Sequence, residues 1–386
     1  MDRRHLLGIL LVGILATATI AAEDDLGYGV RLTTGFETNP LRVTGAGPNG
    51  IFTDLLLDGR YRHEFGPRVE FFADADAWQR LYESGAADAD YGGGAVRTGV
   101  ALQPTSAGWD RLTLTAGGFY SLYRATYTDR ATGEVFEVSG APAASPSTVS
   151  IPDRLDYDGS GLFVDAVWNQ NRRLRLFLKT AFDRFDYVED YTGTTELDPL
   201  DYRSTRVEPG ISWLVSQVVR LKFSVRWTDV DYDERPALDK NGLEVPDVDR
   251  EYRYGQLRLS LRVTPTDRWK IYFGVGGSDR NDTYAGYYDY GSRWSYVAVD
   301  RILRDHGRIR LYGSLRDVDY DNATVTGEPE GTVLGNDVQR LLARYERGFR
   351  ERLSLFVEGG MQRTDSKDPI YAYDTDWVLT GIQFRR

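Results

Sequence analysis

Residues 206–227 hold two strands and the reversal between them, and their side chains alternate in character throughout. Val207, Pro209, Ile211, Trp213 and Val215 share one face, while Arg206, Glu208, Gly210 and Ser212 share the other. After the reversal at Ser216-Gln217-Val218, Val219, Leu221, Phe223, Val225 and Trp227 lie opposite Arg220, Lys222, Ser224, Arg226 and Thr228. A period of two sorts side chains this way in a strand and in no helix. Pro209 cannot donate to a ladder and is expected at a local bulge. Alternation alone leaves the direction of the faces open. In a soluble sandwich the apolar face is the core; in a membrane barrel it meets lipid and the charged face lines a lumen.

The same pattern recurs along the chain. Apolar faces are expected at Leu26, Tyr28, Val30, Leu32 and Phe36, at Leu112, Leu114, Ala116, Tyr120 and Leu122, and at Leu257, Leu259, Leu261 and Val263. Short turns fall at Gly66-Pro67, Pro104-Thr105, Asn169-Gln170-Asn171, Pro265-Thr266-Asp267, Asp305-His306-Gly307 and Phe349-Arg350-Glu351. Longer connections fall at 38–50, 83–90, 126–156, 188–199 and 231–249. Short and long connections alternate, and about sixteen strands result. The expected fold is all-β: a transmembrane up-and-down antiparallel β-barrel with short periplasmic turns and long extracellular loops. An apolar interior of this diameter could not be filled by side chains, whereas a wet polar lumen needs no filling.

Composition agrees. The mean hydropathy is -0.44 with 25 Tyr and 40 Gly, so the apolar signal is spread over strands rather than gathered in helices. Arg3 and Arg4 precede an apolar run at 6–20 that small residues close at Ala21 and Ala22, the pattern of a Sec-type signal peptide. Residues 1–22 are therefore expected to be a leader to the periplasm and outer membrane, and 23–386 one barrel domain. No Cys is present for a lipid anchor or disulfide. A formal net charge of -11 argues against nucleic acid as a partner.

Two aromatic girdles are expected at the lipid interfaces: Phe65, Trp109, Trp168, Trp213, Trp269 and Phe349 near the short turns, and Tyr82, Tyr91, Tyr127, Tyr157, Tyr187, Tyr202, Tyr232, Tyr252, Tyr320 and Tyr373 near the long loops. The charged face carries the candidate lumen residues Arg31, Arg60, Arg62, Arg97, Arg175, Lys179, Arg206, Arg220, Lys222, Arg226, Arg258, Arg262, Lys270, Arg310, Arg340, Arg344 and Arg352. Fewer acids share it, among them Asp58, Asp74, Asp165, Glu208, Glu346 and Glu358, so the lumen is expected to be net basic. The alternative is that these charges pair across strands and hold the wall together. His5, His63 and His306 are the three histidines, and no catalytic triad, cofactor or metal set is visible among them, so no enzyme is expected.

Asp229-Val230-Asp231-Tyr232-Asp233 recurs as Asp317-Val318-Asp319-Tyr320-Asp321, each at the outward exit of a strand. Such clusters are a solvated rim or a place for Ca²⁺ bridging to lipopolysaccharide. Gly35-Phe36-Glu37-Thr38-Asn39-Pro40 is similar to the Gly-Tyr-Asp-Ser-Asn-Pro first-strand exit of a group of Gram-negative outer-membrane β-barrel porins, those accompanying exopolysaccharide export. The end of the chain, Thr380-Gly381-Ile382-Gln383-Phe384, resembles the C-terminal strand recognised by the barrel-assembly machinery, with Arg385-Arg386 in place of a terminal aromatic. The resemblance implies an outer-membrane setting, with lipid and lipopolysaccharide around it, and passage of a polysaccharide or polar solute, and the Arg-rich inner face points to a preference for anionic solutes. The competing expectation is a closed structural or adhesive barrel that binds a partner through its acidic loops, with 126–156 either plugging the lumen or offering a surface.

Overall fold

A computed structural model of the chain describes residues 25–40, 49–83, 90–104, 111–124, 157–187, 201–304, 307–325, 331–350, 352–369 and 372–386. The expected leader, Trp109, Tyr127 and the 126–156 loop lie outside these residues. The strands in order are β1 (Asp25–Glu37), β2 (Gly50–Glu64), β3 (Val69–Tyr82), β4 (Tyr91–Leu102), β5 (Leu112–Arg124), β6 (Tyr157–Asn169), β7 (Leu174–Tyr187) and β8 (Tyr202–Leu214). They continue as β9 (Val219–Leu238), β10 (Glu244–Thr266), β11 (Trp269–Asp282), β12 (Tyr290–Ile302), β13 (Gly307–Thr324), β14 (Val333–Arg350), β15 (Leu353–Ser366) and β16 (Tyr373–Arg385). Each pairs antiparallel with the next, and β16 pairs with β1, closing a sixteen-stranded up-and-down barrel. Closure removes every free sheet edge, which is what a strand protein in hydrocarbon requires.

Contacts that skip strands identify the inside, since side chains two or three strands apart meet on the concave face alone. Arg97 of β4 reaches Asp165 of β6 at 3.3 Å, and the rings of Phe72 on β3 and Phe163 on β6 lie 6.2 Å apart. Following the register from Asp165 to Lys179 to Glu208 to Arg226 puts the charged face of β8 and β9 inside. The apolar face is therefore outside, where Leu162 is 65% and Phe182 55% exposed, with Leu32, Leu315, Leu341, Val357 and Val378 exposed on other strands. Leaving one large apolar side chain in water forgoes roughly 1.5–3 kcal/mol, so a belt repeated on nearly every strand belongs in lipid. The turn-side girdle faces the same way: Phe65, Trp168, Trp213, Trp269 and Phe349 are exposed.

Two local expectations are corrected. Val207 pairs Trp227 and Gly210 pairs Ser224 in a single register, so Pro209 makes no bulge. The ladder toward β9 lacks the pairs for positions 208 and 209 and then resumes, because a missing N–H removes a bond without adding a residue. The 231–249 segment is also no irregular loop. Strands β9 and β10 run through it to a tight turn at 239–243, where Gly242 takes φ +80° and Asp239 caps the amides of Asn241 and Leu243 at 2.8 and 2.9 Å. Register shifts between Val245 and Glu251 absorb the mismatch.

The seam between β1 and β16 is fastened at both ends. On the turn side Tyr28 and Arg386 exchange backbone bonds. On the loop side Thr38 N–H donates to Asp376 O at 2.8 Å, the Thr38 hydroxyl accepts from Asp376 N at 2.8 Å, and Asn39, at φ 50°, donates through Nδ2 to Asp374 O at 3.3 Å. The Gly35–Pro40 motif thus has a structural task, closing the barrel.

Candidate functional site

The concave wall is the candidate site. The register places Arg31 of β1, Arg60 and Arg62 of β2, Arg97 of β4, Arg175 and Lys179 of β7, Arg206 of β8, and Arg220, Lys222 and Arg226 of β9 on it. Arg258 and Arg262 of β10, Lys270 of β11, Arg310 of β13 and Arg340 and Arg344 of β14 follow. Arg352 stands apart: it is exposed in the turn between β14 and β15, where its carbonyl accepts from Arg385 N at 2.9 Å. Sequence reading missed Arg80, Arg280, Arg308 and Arg316, although each has the parity of an inward neighbour.

One group of these cations is neutralised on the wall. Arg62 donates to both Asp74 oxygens at 2.9 and 3.1 Å, Arg206 reaches Asp183 at 2.9 Å, and Arg226 grips Glu208 at 2.6 and 2.9 Å. Arg308 and Arg310 share the fully buried Asp300. Arg80 binds Asp54 at 2.6 and 2.9 Å and Glu37 at 3.0 Å, and Glu37 also accepts from the Tyr82 hydroxyl at 2.8 Å. Pairing across strands is therefore a real part of what the charged face does.

Several cations rest on aromatic rings, and the rings rest on glycines. The Phe163 ring occupies the space a Cβ at Gly117 would need, and Arg97 lies 3.8 Å above it. Phe356 covers Gly381 beneath Arg344 at 3.7 Å, and Phe52 covers Gly35 beneath Arg80 at 3.9 Å. Phe177 covers Gly210 and is flanked by two ammonium groups, Lys222 at 5.1 Å and Lys179 at 6.0 Å. These stacks hold long cationic side chains along the wall.

A third group has no carboxylate within ion-pair reach among the described residues: Arg31, Arg175, Lys179, Arg220, Lys222, Arg262 and Lys270. Arg175 donates to Asn169 at 2.9 Å instead. Arg175, Lys179, Arg220 and Lys222 point inward and are nonetheless exposed, which requires space and water on the inside of the barrel. They cluster toward the turn side of β7 and β9.

The loop side differs. The tyrosine girdle expected to face lipid lies on the concave face: Tyr82, Tyr91, Tyr157, Tyr252, Tyr320 and Tyr373 are buried there. Rings run from strand to strand as an arc, Tyr123 to Tyr157 at 4.7 Å, Tyr157 to Phe185 at 5.4 Å, Phe185 to Tyr202 at 4.7 Å, Tyr202 to Tyr232 at 5.5 Å and Tyr232 to Tyr252 at 6.0 Å. Arg280, also buried, donates to Tyr288 O at 2.7 Å between the rings of Tyr252 and Tyr290. Outside, at the same height, the two acidic repeats place Asp229, Asp231 and Asp233, and Asp317, Asp319 and Asp321, on the outward face, where Arg253 and Arg203 approach Asp229 and Asp233 at 3.7 and 3.6 Å. Among the described residues no group of three or more His, Cys, Asp or Glu side chains is arranged to hold a metal ion.

No protein-family model and no curated protein sequence matches the chain. Solved structures do. The anion-selective porin from Comamonas acidovorans is similar over 94% of this chain and 100% of its own, with 10% identity and a TM-score of 0.50. OmpT, an outer membrane protein of Vibrio cholerae, is similar over 95% of this chain and 98% of its own, with 8% identity and a TM-score of 0.50. At such identities the likeness is one of fold, a β-barrel matched over nearly the whole chain.

Proposed function

We propose that the barrel is an outer-membrane channel that passes small polar solutes and favours anions. The observation that carries this is the state of Arg175, Lys179, Arg220 and Lys222, which are inward and exposed, with no carboxylate within ion-pair distance among the described residues. Cations held in a wet, low-dielectric-walled passage raise the local anion concentration and lower the barrier to anion transit. The porin-type fold supports the location, and the leader at 1–22 and the β16 strand are read as the address and the assembly signal. No bond-making step belongs to this reading. Purified protein in a planar bilayer under a KCl gradient is expected to give stepwise conductance with a reversal potential on the chloride side. A potassium-selective barrel would end the proposal.

Polysaccharide passage is a narrower form of the same reading and rests on the Gly35–Pro40 resemblance. The second reading, a non-conducting barrel that binds a partner through its acidic rim, is favoured by the aromatic packing of the loop-side interior. A silent bilayer together with binding of the folded protein to a cell-surface ligand decides for it.

A further inference from the structure

Arg220 and Arg262 stand directly opposite one another across the β9 and β10 ladder, both facing inward. Like charges in opposed positions destabilise a strand pair, so something else must accompany them. Around them the wall adds Lys222, two residues from Arg220 on the same face, and Arg175, which the register joins to Lys222 through Ser212. Lys179 completes the group, since it and Lys222 flank the Phe177 ring. Strand spacing makes this patch roughly 15 Å wide, from β7 to β10. The carboxylates beside it are already engaged: Asp165, opposite Lys179, with Arg97, and Glu208 with Arg226.

We infer that this patch is a binding subsite for a multiply charged oxyanion, a solute bearing a phosphate group or several carboxylates. Two guanidinium forks offer paired N–H donors to such oxygens, and the lysines add mobile point charges around them. Ser212 and Ser260, which flank Lys222 on its own cross-strand row, are further donors within the patch. The inference rests on the channel reading for its biological sense but not for its test.

The probe is inorganic phosphate, with citrate as the polycarboxylate, titrated calorimetrically into the folded detergent-solubilised barrel at low salt. Saturable binding is expected, weakening as KCl rises. Arg220→Gln with Arg262→Gln should lower affinity by about tenfold or more, the scale of lost charge-assisted bonds. Arg352→Gln, in the turn, should leave affinity unchanged. The double variant relieves a like-charge contact, so its folding is expected to survive, and Lys222→Gln offers a milder second variant with a smaller loss. Absent saturation by either probe, or equal affinity in wild type and double variant, overturns the subsite. Bilayer conductance is read in parallel. A barrel that conducts but binds neither probe loses the subsite and keeps the channel; one that binds but never conducts does the reverse.

Discussion

Tyr28 and Arg386 exchange a pair of backbone hydrogen bonds, at 3.1 and 2.8 Å, at the turn-side end of the seam that closes the barrel. The last residue of the chain is thus a structural member of the wall, and Arg385 adds a third bond to Arg352 O at 2.9 Å. Deleting Arg385 and Arg386 removes three backbone bonds worth about 1 kcal/mol each. A drop of roughly 2–3 kcal/mol in urea unfolding of the reconstituted protein is expected. An unchanged midpoint would show that the seam holds without its last pair.

Arg80 holds two acids in the loop-side interior, and Glu37 is almost wholly buried beneath it. Arg80→Leu leaves that carboxylate unmatched and is expected to destabilise the barrel by about 3–5 kcal/mol. Arg253→Leu, which removes the exposed partner of Asp229, is expected to cost about 0–1 kcal/mol. Equal losses in the two variants would contradict the difference in burial.

Labelling distinguishes three environments on one strand. Lys222→Cys should react with a water-soluble maleimide, because it is inward and exposed. Phe223→Cys should be protected by lipid. Ser224→Cys should also be protected, since Ser224 faces inward but is 4% exposed. Phe223→Arg is expected to cost about 2–4 kcal/mol near the bilayer midplane and to impair assembly. Reaction at 223 with protection at 222 would reverse the faces.

The hairpin tip gives a pH test outside the membrane. The Leu243 and Asn241 amides hold the Asp239 carboxyl below the usual carboxylate range, the Leu243 bond contributing most. A depressed value means the turn gains stability from this group at and above the ordinary carboxylate pKa, and loses it as pH falls through the lowered one. Amide exchange at Leu243 should therefore accelerate beyond its intrinsic pH trend only at strongly acid pH, and Asp239→Asn should abolish that step.

Much of this was legible in the sequence, and the reasons are specific. The Arg206-to-Trp227 alternation fixes the outside of β8 and β9 once strand-skipping contacts identify the inside, and Lys222 and Phe223 fall where parity puts them. The same parity places the loop-side tyrosines inside. Tyr202, Tyr232 and Tyr252 have the parity of Glu208, Arg226 and Arg258, so the turn-side tryptophans were a misleading guide to the loop side. The β9 and β10 extension was hidden because acids and prolines at 231–249 mimic loop composition while the backbone stays paired. The ring-on-glycine stacks were out of reach, since Phe177 and Gly210 become neighbours through a register that no single strand encodes.

The stacks of glycine, ring and cation invert an ordinary expectation about size. Arg97 sits 3.8 Å over the Phe163 ring, and that ring fills space that a side chain at Gly117 would need. Without that ring, Arg97 keeps Asp165 and the more distant Phe72 ring as partners and gains freedom to reach toward the axis. Phe163→Ala, a deletion of bulk from the wall, should accordingly make the bore narrower rather than wider, and single-channel current should fall.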